Sequence, residues 1–124
     1  MHPIIRAIPV ALVLSATAHA AGPAKGADTR EAVEAAVLDC HAQYAQRYGS
    51  GVEVTPSEIA AGAFAACKQQ MDAFEALAPK LAKKDEYVAV GVGNARATER
   101  RIMARFRRDV RNATIDAVIR ARAR

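Results

Sequence analysis

Three stretches of the chain repeat apolar residues at three- and four-residue steps, the spacing of one helix face. In the first, Val33, Val37, Cys40, Tyr44 and Tyr48 fall on one side of a predicted helix over 29–48. In the second, Ile59, Ala63, Cys67, Met71, Phe74 and Ala78 do the same over 56–78. In the third, Ile102, Met103, Phe106, Val110, Ala113, Ala117 and Ala121 project within a narrow arc over 94–121. Punctuation agrees with these spans. Asp28 or Thr29 can cap the first helix, and Gly49 suits the residue just past its end. Thr55-Pro56-Ser57-Glu58 reads as a capping box with proline at the first helical position. Pro79 is expected to limit the second helix, leaving a short turn over 80–84. The run YVAVGVG (87–93) alternates valines but carries two glycines and has no partner strand, so it reads as a loop or a weakly helical lead-in. The fold class this predicts is all-α: a small antiparallel helical hairpin with a third, Arg-rich amphipathic helix packed across it.

The first twenty residues follow a different rule. Arg6, the apolar run Ala7–Leu14 and the small residues ending Ala18-His19-Ala20 form the order of a secretory signal. The apolar run is too short for a membrane span, which needs roughly 20 residues. Cleavage is expected after Ala20, with Ala21 the second choice. What remains, 21–124, is one small domain with a mobile start at 21–28 and a basic C-terminal helix at 94–124. The many Ala and Arg residues fit a GC-rich bacterial genome. Export then leads to the periplasm or the medium, both oxidising.

That address decides what Cys40 and Cys67 are for. They are the only cysteines, and an even count in a small exported chain favours a disulfide. A c-type haem site needs C-x-x-C-H, and no cysteine stands three positions before Cys40. A lipobox needs small residues close behind the apolar run; here Asp39 precedes the cysteine. Structural zinc usually takes four Cys or His ligands, and only His41 would survive cleavage. Neighbouring residues on a helix do not face each other, so Cys40 and His41 make no catalytic pair. Cys40 is eight residues before Tyr48 and Cys67 eleven after Pro56, or roughly 12 and 16 Å from the connector at about 1.5 Å per residue. Folded back as a hairpin, the two reach nearly the same level.

Charge is polarised. Residues 94–124 hold ten arginines against Glu99, Asp109 and Asp116, a net +7; residues 21–93 hold seven bases against ten acids, a net −3. Arg100, Arg101, Arg105, Arg107, Arg108 and Arg111, with Arg122, fall opposite the apolar stripe of the third helix. Arginine forks suit phosphate and carboxylate. The first six, without Arg122, form the candidate surface for an anionic protein, an envelope polymer or lipid headgroups. Export argues against nucleic acid. A solvated face serving solubility alone, in a structural or stress-protective domain, is the competing expectation. No G-x-S-x-G, H-E-x-x-H or paired-carboxylate constellation is present, and Gly91-Val92-Gly93 lacks the third glycine and the βαβ context of a dinucleotide loop. His41 reads as a surface residue flanking the core. No cofactor or metal is called for, and a small enzyme completed by oligomerisation is the last alternative. The expectation is a non-enzymatic exported binding protein.

Protein recovered from the exported fraction should have an intact mass that begins at Ala21 and is two hydrogens light. It should take up alkylating agent only after reduction. A full-length mass with two freely alkylated thiols would remove both the address and the cross-link.

Overall fold

The computed structural model of the protein describes residues 29–84 and 94–124; the expected signal (1–20), the start (21–28) and the 87–93 run lie outside them. Four helices make up 86% of the described residues, with no strand among them. They are α1 (Arg30–Tyr48), α2 (Pro56–Ala66), α3 (Lys68–Lys84) and α4 (Ala95–Arg122). None is long and apolar enough to cross a membrane.

Each start is chemically marked. Thr29 Oγ1 accepts from the Ala32 N–H at 3.3 Å, and Asn94 Oδ1 accepts from the Ala97 N–H at 2.7 Å. Thr55 and Glu58 close the capping box: the Glu58 N–H donates to Thr55 Oγ1 at 3.2 Å, and the Thr55 N–H donates to Glu58 Oε2 at 2.8 Å. These caps satisfy N–H groups that have no partner inside the helix.

The single helix expected over 56–78 is two. Cys67 leaves helical geometry (φ −100°, ψ 22°), yet its N–H still reaches the Ala63 carbonyl and its own carbonyl still receives the Met71 N–H. The last bond of α2 and the first of α3 therefore both end on Cys67, where the two helices meet. No Gly or Pro lies at this break; the residue that departs is the one tied covalently to α1. Pro79, in turn, does not end α3, which continues to Lys84. Proline cannot supply the N–H that the Glu75 carbonyl would receive. Glu75 faces solvent, where water can take that place.

Cys40 and Cys67 form the disulfide, with their Cα atoms 5.9 Å apart. All six positions of the 56–78 stripe are buried. The α1 stripe is shifted from the expected one. Its buried residues are Val33, Val37, His41 and Ala45, a strict four-residue step. Cys40 and Tyr44 flank it half-buried, and Tyr48 is 49% exposed. On α4 the buried residues are Thr98, Val110, Thr114 and Val118, again four apart, with Ile102 and Phe106 half-buried in the same row. Ala113 is exposed, and Arg122 is partly buried and turned inward. Each four-residue step turns the row by roughly 40° on a 3.6-residue helix, so a fixed-face projection loses its phase along a long element.

α4 packs against all three other helices. Phe74 of α3 stacks on Phe106 with ring centroids 3.8 Å apart, within a cluster that includes Val33, Val37, Met71 and Val110. A second cluster joins Ala45, Ile59 and Val118. At its C-terminal end, α4 closes on the 49–54 connector. Arg122 donates through Nε to the Gly49 carbonyl at 2.8 Å and through an Nη to the Gly51 carbonyl at 2.5 Å, with the Val54 carbonyl a further acceptor. Gly49 is not left-handed (φ −71°). A Cβ there would strike the Ala45 carbonyl and come within 3.5 Å of the Val118 Cα, so close approach explains the glycine.

Replacing both cysteines by Ala should lower unfolding free energy in urea by about 3.5 kcal/mol, the chain-entropy value for a loop of this length. Arg122→Ala should cost roughly 1–3 kcal/mol by orphaning connector carbonyls, whereas Arg120→Ala, on the exposed side, should stay within about 0.5 kcal/mol.

Candidate functional site

The six arginines singled out in the sequence are all exposed. The fold does not keep them together. Arg107, Arg108 and Arg111 converge with Asn112 beside Phe64 of α2, around a shallow pocket of 260 Å³. Arg105 lies at the rim of a separate groove bordered by α1 and α3. Arg100 and Arg101 stand on the first half of α4, outside both groups. Arg122, from the same basic helix, is spent on the connector.

The carboxylates near this face hold their arginines loosely. Arg107 Nη2 lies 3.9 Å from Glu75, Arg108 Nε 3.7 Å from Asp109, and Arg105 Nε 3.9 Å from the same Asp109. A charge-assisted hydrogen bond between nitrogen and oxygen spans about 2.7–2.9 Å. None of the three reaches it, and one carboxylate serves two guanidinium groups. Arg111 makes one long contact, 3.4 Å to Ser57 Oγ. Such exposed pairs are worth about 0–1 kcal/mol. The guanidinium forks thus remain open to a stronger acceptor. Phe64 adds a half-buried aromatic surface at the floor. The sequence pattern assigns no part in this surface to Phe64, Asn112 or Ser57. Nothing local in the sequence shows that α2 and α4 bring these together.

His41 corrects the expectation made of it. It is 1% exposed, its ring edge-on to Phe64 at 4.7 Å between centroids. Its Nδ1 lies 3.0 Å from Thr114 Oγ1. The Thr114 hydroxyl already donates to the Val110 carbonyl at 2.7 Å, so it accepts from His41, which fixes the proton on Nδ1. Nε2 is buried without a hydrogen-bond partner. A second proton there would be a charge with no acceptor, and desolvation accordingly lowers the pKa from 6.5. His41 is therefore a neutral strut between α1 and α4. Among the described residues, no cluster of three or more His, Cys, Asp or Glu is placed to hold a metal ion. The arrangement at Arg107, Arg108 and Arg111 can do one thing chemically: bind negative charge, with an apolar edge beside it.

No protein-family model matches the chain, and neither the curated proteins nor the solved structures show a significant similarity to it.

Below pH 6.5 the unfolded chain takes up the His41 proton before the folded one does, so the stability contributed above that pH is lost as pH falls. Thermal unfolding should therefore show a lower midpoint at pH 5.5 than at pH 7. His41→Leu should flatten that difference.

Proposed function

We propose that the protein is an exported, non-enzymatic binding protein, periplasmic or secreted, that holds an anionic partner on Arg107, Arg108 and Arg111. In this reading the Cys40–Cys67 bond staples α1 to α2 and α3 as a hairpin, and the arginine-rich helix laid across it is the working element. The observation that carries the reading is the convergence of three arginines on one pocket, none of them held by a close carboxylate. The signal-like start and the disulfide support the oxidising compartment.

The partner is an acidic protein or an anionic envelope polymer. A lipid surface fits less well. A basic amphipathic helix binds a bilayer by inserting its apolar side, and the central part of that side, Val110 and Val118, is fully buried in the domain. Asn112 and Phe64 suit a ligand that has hydrogen-bonding groups and flat apolar parts beside its charges.

Titration calorimetry with poly-L-glutamate and with dextran sulfate, at 50 and 200 mM salt, tests this. Saturable binding that weakens with salt is expected. Arg107→Gln/Arg108→Gln/Arg111→Gln should weaken it at least tenfold, about 1.4 kcal/mol. Arg120→Gln/Arg124→Gln, the same kind of charge removed elsewhere, should change it little. Equal losses in both variants, or no binding at either salt, would leave the charge with a role in solubility only.

A further inference from the structure

A larger concavity lies on the other side of α4, where α1, α3 and α4 diverge around an open groove of 720 Å³. This is within the size of small-molecule sites, roughly 300–1,000 Å³. Half-buried Phe106, Ile102 and Leu81 give it an apolar floor and walls, backed by the fully buried Phe74 and Val110. Leu38, 40% exposed, and the exposed Ala113 extend that surface along one margin. From Ile102 to Ala113 the α4 wall is roughly 16 Å long, so the groove suits an extended chain better than a compact ring.

Its rim is charged and unevenly paired. Arg30, Lys84 and Arg105 supply three cations; Glu34 and Asp109 supply two acids. Arg30 is closed on Glu34 at 2.7 Å. Arg105 is held only at 3.9 Å, by an Asp109 that also neighbours Arg108. Lys84 makes no ion pair among the described residues. Among the described residues the rim thus carries one more cation than acids, next to the half-buried apolar side chains of Leu81, Ile102 and Phe106.

We propose that this groove binds a single-chain anionic amphiphile: a free long-chain carboxylate, its tail along Leu38, Ile102 and Phe106 and its head at Arg105 and Lys84. The floor takes the alkyl chain out of water, which supplies the affinity. The rim selects the sign of the head. The site shares no residue with the pocket at Arg107, Arg108 and Arg111, and does not rest on that reading.

The test uses the full chain and 11-(dansylamino)undecanoate, displaced by octanoate, decanoate and laurate below their micelle concentrations. Saturable binding is expected, each two-carbon extension tightening displacement about tenfold. Dodecanol should bind several-fold more weakly than laurate, and so should Arg105→Gln. Arg111→Gln should leave laurate affinity unchanged. Ala113→Trp, at an exposed position, fills the groove and should reduce affinity at least tenfold; Leu38→Glu is the second blocking variant, should the first not fold. The proposal is overturned by affinity indifferent to chain length, by folded blocking variants that bind like the parent, or by binding only to vesicles of anionic phospholipid. It is equally overturned if no carboxylate binds, in which case other parts of this chain or a protein partner occupy the groove.

Discussion

On α4 the core is met every fourth residue, and that step sets what the rest of the helix can do. Four residues overshoot one turn, so the contact row rotates by roughly 40° per step, or roughly 240° from Thr98 to Arg122. Rows four residues apart are also the ridges by which helices interdigitate, and α1 presents one of its own in Val33, Val37, His41 and Ala45. The consequence is a helix whose buried side points to different neighbours along its length. Near Phe106 it faces α3, near Thr114 it faces α1, and at Arg122 it faces the connector. The same rotation sorts the arginines. Arg122 is drawn inward, Arg105 is left at the rim of the groove bordered by α1 and α3, and Arg107, Arg108 and Arg111 gather beside Phe64.

Two fixed points hold this arrangement in register. One is covalent: Cys40–Cys67 joins α1 to the junction of α2 and α3. The other is polar. His41 donates to Thr114, which donates to Val110, a chain of two hydrogen bonds wholly inside the domain. Residue 41 adjoins residue 40, so α1 is tied to α2–α3 and to α4 within one turn. Buried polar groups are costly when half-satisfied. The bare Nε2 is tolerable because it is an unprotonated acceptor on a neutral ring, not a charge. The cross-link and the strut both act on α1, and the outer residues of α4 stay exposed.

Much of this was legible in the sequence where local chemistry decides it. Thr55 and Glu58 announced α2, and the Ile59-to-Ala78 stripe named six buried positions. The cysteine pairing followed from count and level. What escaped had nonlocal causes. His41 and Thr114 are polar and score as surface until the partner across the interface is known. Ala113 and Tyr48 were placed in the core by a fixed-face projection that the four-residue rows do not obey. The break at Cys67 has no Gly or Pro to mark it. Pro79, a strong local stop signal, is accommodated within α3, one turn after the exposed Glu75. The candidate site was half legible: the arginines were visible, but their division between two concavities depends on how α1, α2 and α3 surround the helix.

The central claim is that α4 is an integral part of the packed domain. Residue-resolved amide hydrogen exchange tests it most directly. If the claim holds, amides of the α4 interior from Ile102 to Val118 exchange as slowly as those around Val37 and Phe74, all at the free energy of global unfolding. Exchange of α4 by local opening, while α1 and α3 stay protected, would mean a hairpin with a loosely attached helix, and would contradict the account.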